Sequence, residues 1–170
     1  MKLRALEGPY FVRDDLPFLW QIESQTVPSS EWEMARYLTV LADFEHGHAI
    51  SDAATSLQNA KLDLALLWFA RSFQIDALPP CEVAMGLTSV SWFSAQALPV
   101  GQSGQIHFCL SQQFPLHLQF PAQIMACEAN GAGFQISAQW LELGDVLLDQ
   151  FEKTVFRYHR RQISSERERI

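Results

Sequence analysis

Hydrophobic and polar positions change their period three times along the chain. From Tyr10 to Ile22, aromatic and aliphatic residues surround Asp14-Asp15 and Pro17, which reads as an extended segment. Pro17 cannot donate to a ladder, so a strand start or an edge is expected there. From about Pro28 to Pro79 the period is helical. Ser30-Glu31-Trp32-Glu33 has the form of a capping box, in which the serine hydroxyl accepts from the Glu33 amide and Glu33 reaches back. Met34, Tyr37, Leu38, Leu41 and Phe44 follow as one helical stripe, and Gly47 is a credible C-terminal stop. A second helix is expected from Ser51-Asp52, with no breaker before Pro79.

That second helix carries two apolar seams. Leu57, Ala60, Leu64 and Leu67 form one; Leu62, Ala65, Leu66, Phe69 and Phe73 form another, shifted around the cylinder. A helix lying on a single core needs an apolar arc of roughly 100°. This one exceeds it, so it is either enclosed by its own chain or shared with another copy. Two helices and a small barrel offer limited cover, which favours self-association through Leu57, Ala60, Leu64 and Leu67.

Alternation takes over in Gln105–Leu110, Leu116–Phe120, Gln123–Cys127 and Phe134–Trp140. Turn chemistry separates these runs at Pro99-Val100-Gly101, at Gln102-Ser103-Gly104 and at Glu128-Ala129-Asn130-Gly131. Short strands at this spacing mean a sandwich or a small barrel. A closing helix is expected from about Asp145 to Gln162, with Val146, Leu147, Phe151, Val155, Phe156 and Tyr158 as its apolar positions.

The 170 residues fit one domain, 1–170, with the helical insertion at about 28–79. A hydrophobic fraction of 48% excludes a disordered chain, and twelve phenylalanines with five tryptophans can fill a core generously. A net charge of −7 opposes binding to nucleic acid or an anionic membrane. Arg157, Arg160, Arg161, Arg167 and Arg169 are the local exception, read as a solvated helix end or as an anion or partner contact. Cys81, Cys109 and Cys127 have no Cys-x-x-Cys pair, which fits reduced thiols in a cytoplasmic protein. Neither a signal peptide nor a membrane span is expected.

Little catalytic chemistry stands out. His46 and His48 lack a third ligand at a fixed distance, so no metal is expected. His107 and His117 fall on polar positions of alternating runs, where outward-facing side chains are expected. Asp14 and Asp15 are sequence neighbours, which in a strand point to opposite faces and make no acid/base pair. Gly-x-Ser-x-Gly, His-Glu-x-x-His and phosphate-cradling Gly-rich loops are absent. No catalytic residue and no cofactor is expected.

Phe11-Val12-Arg13-Asp14-Asp15-Leu16-Pro17 resembles the opening of PilZ domains, where an Arg-x-x-x-Arg motif precedes the first strand. Ser89–Leu98 falls where that family has Asp-x-Ser-x-x-Gly, and Pro99–Gln102 resembles its turn into the next strand. Phe151–Gln162 is similar to its closing helix. The resemblance implies a six-stranded antiparallel β-barrel in a bacterial cytoplasm, mainly β, with two inserted helices after the first strand and a C-terminal helix. It also implies cyclic di-GMP as the ligand to consider. The binding motifs depart from the family pattern: Arg13 matches the second arginine, but Pro9 stands where the first belongs. Ser91 matches, whereas Ser89 replaces the Asp and Ser94 the Gly. Pro9 supplies no forked, charge-assisted bond to guanine or phosphate, and Ser94 resists the backbone freedom that glycine gives. Such losses cost about 3 kcal/mol or more, roughly a hundredfold in affinity.

An atypical branch of the family carries long helices inserted between the first strand and the one corresponding to Val83–Ser91, assembles into tetramers through them and lacks the nucleotide motifs. This sequence looks like that branch. The leading expectation is a non-enzymatic, homo-oligomeric scaffold or adaptor in cyclic di-GMP-related signalling, with an unidentified signalling or motility protein as partner. The alternative is a cyclic di-GMP receptor using Arg13, Ser89, Ser91 and Ser94, with Arg160 or Arg161 replacing the lost arginine. A third reading is a small hydrolase on a β-barrel, built around His107 or His117.

Overall fold

The computed structural model describes residues 3, 6–22, 30–46, 62, 65, 78–113 and 116–167. Six antiparallel strands close into a barrel: β1 (Tyr10–Gln21), β2 (Pro80–Gly86), β3 (Ser89–Ser94), β4 (Ser103–Phe108), β5 (Leu118–Asn130) and β6 (Gly133–Trp140). Their order around the barrel is β1-β2-β3-β6-β5-β4. Among the described residues two helices can be given bounds, α1 (Glu31–His46) after β1 and α2 (Asp145–Arg167) at the end.

Alternation places one face of every strand inside. Val83 and Met85, Val90 and Trp92, Ile106 and Phe108, Phe120 and Ile124, and Ile136 and Trp140 are all buried, as the period of two requires. Phe151 extends this interior from α2, meeting Phe120 edge-on at 4.9 Å and Trp140 at 5.9 Å. Burying that ring contributes about 2–3 kcal/mol.

Pro17 corrects the edge expectation. The first half of β1 pairs with β2, while Phe18–Gln21 pair with β4. Pro17 sits where the strand changes partner, opposite Pro80, so neither proline owes a hydrogen to the other. Around it, Phe18 N donates to Pro79 O and Cys109 N to Pro17 O, both at 3.0 Å. A bulge between Arg13 and Leu16 carries Asp14 and Asp15, both exposed. It also shifts the inward phase, from Phe11 to Leu16 and Phe18.

Before its bulge, β1 has no strand neighbour on the β4 side among the described residues. Side chains of α2 take its free backbone groups instead: Val12 N donates to Gln162 Oε1 at 3.0 Å, and His159 Nδ1 lies 2.6 Å from Tyr10 O. The long strands absorb other expectations. Leu116–Phe120 and Gln123–Cys127 lie largely on one strand, β5, which runs through Pro121 and bends at a bulge between Ile124 and Ala126. Val83–Ser91 is not one strand but the hairpin of β2 and β3.

The capping box at α1 forms as expected. Glu33 N donates to Ser30 Oγ at 3.2 Å, and Ser30 N to Glu33 Oε2 at 2.8 Å. Met34, Tyr37, Leu38 and Leu41 are buried. The C-terminal stop at Gly47, the His46 side chain with His48, and the second inserted helix lie outside the described residues, as do Leu57, Ala60, Leu64 and Leu67. Leu62 and Ala65 are the exceptions: both are helical and both are exposed. The closing helix runs five residues beyond Gln162, to Arg167. Leu147, Phe151, Val155 and Tyr158 are its buried positions, whereas Val146 and Phe156 face solvent.

Candidate functional site

Arg13 stands at the bulge of β1 with its backbone opposite Val83, which in turn pairs with Trp92 of β3. Two strand spacings, roughly 10 Å, separate it from the serines of β3. The side chains diverge further. Arg13 Nη2 makes a long 3.5 Å contact with Leu110 O, and its guanidinium lies 5.2 Å from the centre of the Tyr158 ring. Ser91 is fully buried and shares a 2.6 Å hydrogen bond with Ser137 of β6. Ser89 lies opposite Gln139 in the same ladder. Ser94 Oγ accepts from Gln96 N at 3.1 Å and donates to Gln96 O at 2.7 Å, closing a local turn. Among the described residues no side chain other than glycine's takes a positive φ, so Ser94 is unstrained. Arg13 is turned toward α2 while Ser91 is committed to β6.

Arg161 joins Arg13; Arg160 does not. Three guanidiniums surround the Tyr158 ring, Arg13 at 5.2 Å, Arg157 at 5.3 Å and Arg161 at 5.8 Å from its centre. Glu45, near the end of α1, serves the same cluster. Its Oε1 accepts the Tyr158 hydroxyl at 2.5 Å, and its Oε2 accepts from Arg161 Nη1 at 2.9 Å. Arg157 Nε is 3.2 Å from Glu45 Oε2, yet its N–H is not aimed there, so that contact is an ion pair without a hydrogen bond. Arg160 is exposed on the outer side of α2. Two cations at the C-terminal end of α1 also complement that helix's dipole. Burial, then the bond to Glu45, pushes the Tyr158 hydroxyl up to about 12.

Of the basic run of α2, Arg157 and Arg161 are thus held in an ion-pair cluster around Glu45. Sequence reasoning named Arg13, Arg160 and Arg161 but missed Glu45 and Tyr158. They lie 113 positions apart and carry no local signal of a pair.

His107 alternates with the inward Ile106 and Phe108 as expected, yet it is only 4% exposed, and its Nε2 has no hydrogen-bond partner among the described residues. Burial, with His117 as a lesser cause, lowers its pKa. Cys109 Sγ donates to Ser111 O at 3.2 Å, and burial raises its pKa and that of Cys81, which keeps both as thiols. Among the described residues no group of three His, Cys, Asp or Glu is placed to hold a metal ion. No described helix is long and apolar enough to cross a membrane.

Residues 40–168 match the family model for the atypical PilZ domain, cyclic di-GMP receptor. No curated protein matches the chain. Among solved structures, it is similar to a pathogenic protein from Xanthomonas campestris, a tetrameric PilZ domain self-assembled via a helical bundle. The two share 25% identity and a TM-score of 0.77 over 93% of this chain and 91% of that one. The PilZ domain of YcgR from Escherichia coli, solved with cyclic di-GMP, shares 14% identity over 56% of this chain and 84% of that one, with a TM-score of 0.41. The Bacillus subtilis inhibitor of motility shares 11% identity over 50% of this chain and 42% of that one, with a TM-score of 0.41. With the family model spanning most of the chain and the closed six-stranded barrel in place, this chain belongs to the atypical PilZ domain family.

Proposed function

We propose that the chain is a non-enzymatic, homo-oligomeric scaffold or adaptor in bacterial cyclic di-GMP-related signalling, working in the cytoplasm and binding the nucleotide weakly or not at all. The observation that carries this reading is its likeness, over 93% of its length, to a PilZ domain that is tetrameric through a helical bundle. Leu62, helical and 62% exposed, supplies apolar surface in the segment where assembly is expected. The weak-binding half draws on Pro9, Ser89 and Ser94 at motif positions, and on Ser91 being buried against Ser137. Light scattering tests the assembly: a mass several times 19.3 kDa is expected, and a monomer at tens of micromolar protein removes it.

A second reading, a cyclic di-GMP receptor with a non-standard site, is favoured by the description of the matched family as a receptor. Arg13 and Arg161, gathered at Tyr158, are the cations it would use. Calorimetric titration with cyclic di-GMP separates the two readings. Absence of heat at about 100 µM ligand sets the receptor aside.

A further inference from the structure

An open cleft of about 550 Å³ lies along α2, lined among the described residues by Lys153, Phe156, Arg157, Arg160 and Arg161. Four of those five residues are cationic. Their compensation is incomplete. Lys153 pairs with Asp149 at 2.6 Å, and Glu45 is divided among Arg157, Arg161 and Tyr158. Arg160 is exposed and has no acidic partner among the described residues. The Arg157 side chain is only 10% exposed, and its Nε and Nη2 hydrogens find no acceptor among the described residues. A charge held out of water with unmet donors projects a strong field into an adjoining cleft, because little solvent is there to screen it. Phe156, 40% exposed, adds an apolar ring at the same site.

We infer that this cleft binds a small phosphorylated ligand, with the phosphate taken by Arg160 and Arg161 and an apolar ring laid on Phe156. Arginine presents the forked donors that match phosphate oxygens, and the volume is that of a small-molecule pocket. Arg157 contributes its charge from behind, since its unmet nitrogens are covered. The site shares Arg161 with the receptor reading above, but its probes carry no guanine, so its failure and a failure of cyclic di-GMP to bind are read separately.

The test is calorimetric titration of the full chain with inorganic pyrophosphate and with phenyl phosphate. One saturable site is expected for each. Arg160→Ala removes an exposed side chain and should weaken both probes at least about fivefold. Phe156→Ala should spare pyrophosphate and weaken phenyl phosphate about threefold. Circular dichroism on each variant shows that the fold is kept. Linear, unsaturable titration of the wild-type chain, or equal affinity in wild type and Arg160→Ala, overturns the site. Phenyl phosphate binding unchanged in Phe156→Ala overturns the assignment of the ring.

Discussion

Glu45 and Tyr158, 113 positions apart, are joined by a 2.5 Å hydrogen bond that fixes the C-terminal end of α1 against α2. The two helices run parallel, because their contacts keep nearly constant separation. Glu31 Oε1 accepts from Gly144 N, Thr39 Oγ1 donates to Gln150 Oε1, and Glu45 meets Tyr158 and Arg161. Parallel helices align their dipoles unfavourably, and the charges offset this at both ends. A carboxylate, Glu31, meets the first turn of α2, and guanidiniums, Arg157 and Arg161, meet the last turn of α1. Glu45 is also the next-to-last residue of α1, so the clamp anchors the point from which the chain departs toward the insertion.

Tyr158→Phe removes the clamp's hydroxyl while keeping its ring against Phe11. Loss of a hydrogen bond to a charged acceptor costs about 2 kcal/mol at neutral pH. The pH dependence has a definite sign. The unfolded tyrosine releases its proton near 10, whereas the folded one holds it to about 12. The folded state binds more protons in that window, so its stabilisation is full below pH 10 and is lost as pH rises through 12. Urea melts across this range should show a shallower alkaline decline in Tyr158→Phe than in wild type. Tyr37, also raised by burial, keeps its own share.

His107 predicts the acid side. Burial of its ring, with Nε2 unpartnered among the described residues, holds its pKa below the ordinary imidazole value of 6.5. Below pH 6.5 the unfolded chain takes up a proton that the folded chain refuses, so stability falls with pH until the folded pKa is reached. Above 6.5 the penalty is absent. His107→Leu should flatten the decline between pH 6.5 and 5 in chemical melts. An unchanged slope would show that the decline arises elsewhere.

Gly104 makes barrel closure testable. A Cβ there would stand 2.5 Å from Gln21 O and 2.7 Å from the Trp20 ring. The obstacle includes backbone carbonyl, which does not swing aside, and it lies where β1 joins β4. Gly104→Ala should therefore destabilise by about 1–3 kcal/mol, read as a lowered urea midpoint with intact secondary structure by circular dichroism.

Local signals were legible and long-range ones were not. The Ser30–Glu33 box and the Met34–Leu41 stripe are written within one or two turns, and both form. Alternation in Gln105–Phe108 and Phe134–Trp140 announced strands, and the resemblance to PilZ domains settled barrel over sandwich. Pro17 misled because its exemption comes from a change of partner partway along β1, which no local pattern marks. His107 misled because alternation assigns a face, not exposure: it lies opposite Leu19 on one side and Gln119 on the other. Arg161 was visible as a basic residue, but its partner Glu45 belongs to another helix. The bulge that turns Arg13 away from Ser91 has no marker beyond Asp14-Asp15.

The assembly proposed for the inserted segment predicts a graded response to substitution. In the sequence, Leu64 lies at the centre of the Leu57–Leu67 seam, and a carboxylate placed in an apolar helix contact must either be desolvated or force the contact apart. Leu64→Asp should reduce the mass by light scattering toward 19.3 kDa. The barrel should persist, because what the insertion gives the core among the described residues, Met34, Ala35, Tyr37, Leu38 and Leu41, comes from α1. Leu62→Asp tests the other seam. It is 62% exposed in the single subunit, so the substitution should leave the monomer's melting midpoint unchanged within about 0.5 kcal/mol. A fall in mass with that midpoint retained places Leu62 in an interface between copies. Retained mass in both variants would instead mean that the seams do not hold an oligomer together.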